Sequence, residues 1–247
     1  VEECFSDLTG EIHAVETGLS SDPAMNRTCS FLDRFQLVSN SDAHSPEKLG
    51  RNATIFDCGL AWPEVRHALV TGAGLAGTAD LFPQEGKYHF DGHRACGVCL
   101  SPLESLQQEG RCPACGKGLT LGVLYRVAEL ADRDEPASLR EARSFIPLPE
   151  LLAQLLKSGP GSKAVTKRYA SLITTLGPEL PLLLDLPVQA IREAGEPALA
   201  ALLEAVRERR VGIEPGYDGE FGTITADPGG DSADLFAAAP RAAYERQ

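Results

Sequence analysis

Apolar and polar positions alternate in short blocks over the first sixty residues. Glu11-Ile-His-Ala-Val-Glu16 reads as a short apolar strand, followed by a polar loop from Thr17 to Pro23. A helical stretch around Phe31 and Leu32 leads to a second strand, Phe35-Gln-Leu-Val-Ser39, and a second polar loop, Asn40 to Pro46. Strand, loop, helix, strand, loop predicts a piece of a parallel β/α layer. Pro63 opens a helix from Glu64 to Val70 that Gly72 stops, with proline just inside the start and glycine just past the end. Trp62, beside Pro63, reads as a packing residue. Residues 78–126 break into short strands and turns, and Leu121 to Ala131 fits a short helix. Residues 136–210 read as mainly helical. Leu151, Leu152, Leu155 and Leu156, and again Leu199, Leu202, Leu203 and Val206, recur at helical spacing. From Asp227 onward Gly, Ala, Asp and Pro dominate, which predicts a disordered tail.

Composition narrows this picture. A chain of 247 residues is long enough to bury a real core. No apolar run approaches the roughly 20 residues needed to cross a bilayer. Val1-Glu-Glu-Cys-Phe5 has neither the basic region nor the apolar stretch of a signal peptide. The net charge of −12 argues against a protein that coats nucleic acid, but not against an enzyme with a local basic groove. Residues 136–168 hold six cations, Arg140, Arg143, Lys157, Lys163, Lys167 and Arg168, against Glu141 and Glu150. That stretch is equally a DNA-backbone patch or a solvated helix face.

Of seven cysteines, four form two C-x-x-C pairs, while Cys4, Cys29 and Cys58 are scattered. This is not a secreted disulfide framework. It reads as a reducing, cytoplasmic compartment with one metal site. The pairs are Cys96-Gly-Val-Cys99 and Cys112-Pro-Ala-Cys115-Gly116. Two such knuckles supply four thiolates to a closed, tetrahedral, structural zinc ion. The expected set is therefore Cys96, Cys99, Cys112 and Cys115. Four parts follow: α/β over 1–78, a zinc ribbon over 79–135, an α-helical domain over 136–226 and the tail over 227–247.

Ser41-Asp-Ala-His-Ser-Pro46 sits just past an apolar strand. In β/α barrels, loops at the C-terminal ends of strands carry catalysis. Asp42 and His44 on such a loop can reach one metal, and their donor types suit zinc, manganese or iron. Arg51 could hold a phosphate. The plainer alternative makes Asp42 a helix cap and His44 an exposed loop residue. Gly72-Ala-Gly-Leu-Ala-Gly77 fits G-x-G-x-x-G, but a helix precedes it and an extended segment follows, the reverse of a dinucleotide site. Lys87, Tyr88, His93 and Arg94 precede the first knuckle. They either contact DNA or, for Tyr88, pack the ribbon. Tyr217 either stacks on a base or fixes the end of a domain.

The Ser-Asp-Ala-His-Ser-Pro motif, with Glu16 at a strand end, resembles the final motif of the polymerase-and-histidinol-phosphatase (PHP) superfamily. A narrower pattern runs through Ala14-Val-Glu-Thr-Gly-Leu-Ser-Ser-Asp-Pro23, Ser41 to Arg51, Gly86-Lys-Tyr-His-Phe-Asp-Gly-His93, the four cysteines and Pro215-Gly-Tyr-Asp-Gly-Glu-Phe-Gly222. In that order these segments, about residues 11–222, resemble the endonuclease Q family. The resemblance implies a partial PHP-type β/α barrel. It implies nicking of DNA on the 5′ side of deaminated bases (uracil, hypoxanthine, xanthine) or abasic sites. The catalytic divalent metals would be Zn2+, Mn2+, Fe2+ or Mg2+. Asp42 and His44 become catalytic metal ligands, with Glu16 on the same face, and Ser20 and Ser21 lie near the extruded base. The family also carries a His-x-His motif. The five histidines here, His13, His44, His67, His89 and His93, contain none, so the expectation is the C-terminal part of a longer enzyme, inactive alone. The rival readings are a PHP phosphoesterase acting on a small phosphate and a non-catalytic zinc-containing DNA-binding module.

Overall fold

The computed structural model describes residues 1–137 and 139–231. Most of the tail predicted over 227–247 lies outside the described residues. The strands are β1 (Ala14–Glu16), β2 (Gln36–Val38), β3 (Ala53–Phe56), β4 (Leu75–Leu81), β5 (Asp91–His93), β6 (Val98–Leu100), β7 (Glu141–Phe145), β8 (Val211–Glu214) and β9 (Thr223–Ala226). The helices are α1 (Glu2–Phe5), α2 (Pro23–Asn26), α3 (Trp62–Thr71), α4 (Pro102–Gln107), α5 (Val123–Leu130), α6 (Leu148–Leu156), α7 (Lys163–Leu176), α8 (Glu179–Leu184), α9 (Val188–Glu193) and α10 (Pro197–Arg207). They make a mixed α/β molecule with small sheets. Among the described residues, no helix is long and apolar enough to cross a membrane.

β1 and β2 pair in parallel, with Ala14 opposite Gln36 and Glu16 opposite Val38. Parallel neighbours need a crossover, which α2 supplies; Asp22 caps it by accepting from the Met25 N–H at 2.8 Å. Both strands therefore end on the same side, where the Thr17 and Asn40 loops leave. A second sheet has the order β3-β4-β7, antiparallel then parallel. Between β3 and β4 runs α3, which has Pro63 in its first turn and ends at Gly72 in the left-handed region (φ 81°). β4 and β7 meet at Gly77, where a Cβ would lie 2.0 Å from the Glu141 carbonyl oxygen, so only glycine allows this approach. Trp62 does not pack as expected: it starts α3 and is exposed.

The main core lies between this sheet and the helices. Ala79 and Phe145 from the strands meet Leu148, Leu151, Leu152, Leu182, Leu183, Ile191, Leu199 and Leu203. Each fully buried Leu or Ile stabilises the fold by about 1.5–3 kcal/mol before entropy is subtracted. The leucine periodicities of α6 and α10 are thus core periodicities. Arg207 locks the base of this unit by donating to the carbonyls of Leu182, Leu183 and Leu186 at 2.8–3.0 Å. Among the described residues, none between 83 and 144 belongs to this core. The cysteine region must be ordered by something else.

Candidate functional site

The cysteine region is built from two turns of one design. β5 and β6 form a hairpin with His93 opposite Val98. Its tip, Arg94–Cys96, is a 3-10 turn closed by Gly97 at φ 64°. The second turn pairs the Cys112 N–H with the Lys117 carbonyl at 2.7 Å, the same five-residue span, and Gly116 at φ 72° follows Cys115. Glycine is needed in both places because L side chains rarely adopt that region. The two turns bring His93, Cys96, Cys112 and Cys115 together, with one ligand atom from each within 4.8 Å of the others. With Zn–S near 2.3 Å and Zn–N near 2.0 Å, a tetrahedron sets its N···S edges at about 3.5 Å. His93 Nδ1 lies 3.6 Å from Cys115 Sγ. Burial pushes the Cys112 thiol up, but the N–H groups of Ala114 and Cys115, together with the facing Cys115 and His93 side chains, outweigh it and bring it down to about 7. Three thiolates and an imidazole fit a closed structural zinc site.

This corrects the ligand set expected from spacing. Cys99 stands outside the cluster: in β6 it pairs with Gly92, one step beyond the His93–Val98 pair and so on the opposite face of the hairpin. Burial pushes its thiol up to about 11, and the Glu104 and Asp91 carboxylates add to that. His93 takes the fourth place in the cluster. The signal was present in the sequence: His93-Arg-Ala-Cys96-Gly97 and Cys112-Pro-Ala-Cys115-Gly116 share ligand spacing and the final Ala-Cys-Gly. The more familiar C-x-x-C at 96–99 obscured it.

The second candidate site is the loop after β2. Asp42 adopts φ 46°, a conformation that Asp tolerates better than most residues. His44 Nδ1 is 2.8 Å from the Asp42 carbonyl oxygen. Donation from Nδ1–H fixes the tautomer and leaves the Nε2 lone pair open to a ligand. Both side chains are exposed. Asp42 is not a helix cap, since the next helical turn, Pro46–Lys48, begins after Ser45. Arg51 is partly engaged by its own loop. Its guanidinium donates to the carbonyls of Ser41 at 2.5 Å and Asp42 at 3.1 Å, bracing the loop from within. Glu16 is exposed at the end of β1, but among the described residues it does not close with Asp42 and His44 into a three-donor cluster. A carboxylate and an imidazole are fitting donors for a divalent metal, though they are only part of a coordination shell.

Residues 147–210 match the family model described as the MJ0043 C-terminal domain. The sequence is 29% identical over 224 residues to the uncharacterized protein MJ0043 of Methanocaldococcus jannaschii, covering 87% of this chain and 28% of that protein. It is 30% identical over 220 residues to the uncharacterized protein YqxK of Bacillus subtilis, covering 86% of this chain and 52% of that one. The fold is similar to the crystal structure of PfuEndoQ, a lesion-specific endonuclease from Pyrococcus furiosus, with a TM-score of 0.81 at 31% identity. That match covers 91% of this chain and 57% of the solved one. The chain is endonuclease Q-like. A solved endonuclease Q complex with a 27-mer duplex carrying an abasic lesion at the active site gives a TM-score of 0.80 at 29% identity, over 96% of this chain and 60% of that one. The chain therefore spans 28% to 60% of the length of these relatives.

Ser21 is buried and its hydroxyl is committed, donating to the Thr17 carbonyl at 2.5 Å and accepting from Asn26 at 2.8 Å. It is therefore not free to meet a base. Ser20 packs against Gly86, and its carbonyl accepts from Nδ1–H of buried His89 at 2.9 Å. The Tyr217 ring covers Gly92, where a Cβ would sit 2.3 Å away, so Tyr217 fixes the end of its turn. That turn is tied to the knuckle by Asp218, which accepts from the Arg94 N–H at 2.7 Å and the Thr120 hydroxyl at 2.6 Å. Tyr88 lies at the surface beside the Gly219 turn. It is exposed, as is Phe221, and Lys87 Nζ sits 5.4 Å and 5.8 Å from their ring centroids. The sequence reading missed Phe221, since an isolated phenylalanine in a loop carries no signal of its surroundings. Arg94 remains mostly exposed, 3.6 Å from Glu220. In the basic stretch, Arg140, Arg143 and Arg168 are engaged within the fold, leaving Lys157, Lys163 and Lys167 exposed.

Proposed function

We propose that this chain is part of a metal-dependent DNA-repair endonuclease that nicks DNA 5′ of deaminated bases or abasic sites. The observation that supports this most is the similarity to PfuEndoQ at 31% identity across 91% of the chain, with the Asp42-x-His44 loop at the end of a parallel strand pair. On this reading residues 1–78 belong to a PHP-type barrel, 79–135 to the zinc module and 136–226 to a helical domain. Asp42 and His44 Nε2 hold a divalent metal, with Glu16 available beside them and further donors coming from polypeptide outside this sequence. Such a metal, when bound, supplies an activated water and neutralises charge on the attacked phosphate. Arg51 keeps the two donors in place. Lys87, Tyr88, Phe221 and Arg94 form an exposed aromatic and basic surface suited to nucleic acid, and Lys163 adds positive charge on α7. Extruding a damaged base costs less than extruding a paired one, which contributes to selectivity.

One observation favours a second reading, a non-catalytic zinc-containing DNA-binding module: no third described donor joins Asp42 and His44. A panel of otherwise identical duplexes separates the two. Each carries uracil, hypoxanthine, xanthine, an abasic site or no lesion, and is incubated with manganese and the full-length natural polypeptide. Nicking 5′ of the lesion is expected. Lesion binding without any nicking supports the module and overturns the enzyme. The chain in the present sequence is expected to bind these duplexes more weakly as salt rises, without cutting them.

A further inference from the structure

We propose that Asp80 is a positioning residue for the metal-binding loop, holding both of its ends on one carboxylate; this rests on the reading of Asp42 and His44 given above. The loop leaves β2 at Ser39 and returns to β3 at Asn52. Both feet converge on Asp80 Oδ1: the Ser39 hydroxyl donates to it, and Asn52 Nδ2 donates from 3.2 Å. The feet are also joined to each other, Asn52 Nδ2 to Ser39 Oγ at 3.0 Å. The other carboxylate oxygen accepts from the Thr78 hydroxyl at 2.5 Å. Asn52 Oδ1 accepts from the Leu81 N–H at 3.2 Å, which fixes its amide in the orientation that serves Asp80. All four side chains are buried: Ser39 at 0%, Thr78 and Asp80 at 2% and Asn52 at 4% exposure.

Nothing in the sheet requires a carboxylate here. The β4–β7 register is carried by the backbone, with Asp80 opposite Ser144. A buried charge is costly, and an apolar residue of similar volume is often neutral or stabilising in its place. What the carboxylate adds is a defined geometry, as fully satisfied buried networks do. That geometry extends outward. Arg51, the residue before Asn52, grips the carbonyls of Ser41 and Asp42, and the Asp42 carbonyl orients the His44 ring. An unbroken chain of contacts therefore runs from Asp80 through Asn52 and Arg51 to both donors. Asp80 touches neither metal nor DNA in this arrangement and acts only through the loop.

The test uses Asp80→Ala and Asp80→Asn. Asparagine keeps an oxygen acceptor for Ser39 and Asn52, so it should rescue what alanine loses. In the present chain, trypsin can cut within the loop after Lys48 and Arg51. Asp80→Ala should raise cleavage there at least ~10-fold, because the loop opens locally. Zinc content should stay unchanged, which excludes general unfolding. In the full-length polypeptide, the manganese needed for half-maximal nicking should rise ~10–100-fold, the usual effect of losing a partner that orients a ligand. DNA affinity should stay constant, and Asp80→Asn should restore most of both losses. If Asp80→Ala does not fold, Ser39→Ala removes one foot and carries the same expectation. Unchanged loop cleavage with an unchanged manganese requirement overturns the proposal. Normal nicking by Asp42→Ala would instead overturn the reading of the metal loop, while the proteolysis result would still judge the anchoring.

Discussion

Replacing His93 should remove zinc, and replacing Cys99 should not. Structural zinc in small modules binds with an apparent ~10–16 kcal/mol near neutral pH, and that energy is largely folding energy. Shared among four ligands, each carries about 2.5–4 kcal/mol, and at 1.4 kcal/mol per decade one lost ligand weakens binding roughly 60- to 700-fold. His93→Ala, Cys96→Ser, Cys112→Ser and Cys115→Ser should all fall in that range, because each contributes one corner of the cluster. Cys99→Ser should change zinc affinity by less than about threefold, since its thiol lies inside β6. The consequence for folding should be local. Among the described residues, none between 83 and 144 belongs to the main core, so zinc loss should expose the cysteine turns between 93 and 117 to protease and leave the β4–β7 pair and α6–α10 folded. The assay is zinc content of purified variants, followed by competition with a chromogenic chelator. Full zinc in His93→Ala together with loss in Cys99→Ser would refute the geometry and restore the four-cysteine set.

Two further predictions follow from the electrostatics and the exposed surface. Glu85 is pushed up to about 8 by burial, with the Glu150 carboxylate adding and Lys48 opposing. The fold therefore favours its protonated form: its contribution to stability is complete below about 4.5, the ordinary value, and is lost as pH rises through 8. Thermal unfolding from pH 5 to 9 should show this decline, and Glu85→Gln should flatten it, with a gain above pH 8 of about 1 kcal/mol or more; an unchanged pH profile would show that Glu85 is not the group responsible. Tyr88→Ala combined with Phe221→Ala should weaken lesion-DNA binding by about 10-fold or more if each ring stacks on a base, as measured by mobility shift; unchanged affinity would remove this surface from the interface.

What could be read from sequence was whatever local physics decides. The parallel pair β1 and β2 follows from two apolar strands separated by a helical crossover, and α3 follows from Pro63 and Gly72. The leucine periodicities of α6 and α10 likewise report burial directly. β7 was not legible: Glu141-Ala-Arg-Ser-Phe145 has no clean alternation and lies in a stretch expected to be helical. It pairs as a strand with β4, where Gly77 lets the backbone approach. The zinc site was half legible. Spacing located the module, but which four atoms converge depends on where the β5–β6 hairpin ends, and that places His93 at the cluster and Cys99 in the strand. Arg51 and Ser21 show a related limit, because a polar residue near a motif looks functional until its hydrogen-bond partners are known.

In the proposed reaction Asp42 holds a catalytic metal for phosphodiester cleavage. This role is tested most directly by single-turnover nicking of an abasic-site duplex with manganese, comparing the full-length natural polypeptide with its Asp42→Ala variant. The natural protein should cut 5′ of the lesion, and the variant should lose at least ~100-fold in rate with DNA affinity unchanged. Cutting by Asp42→Ala at the natural rate would contradict it.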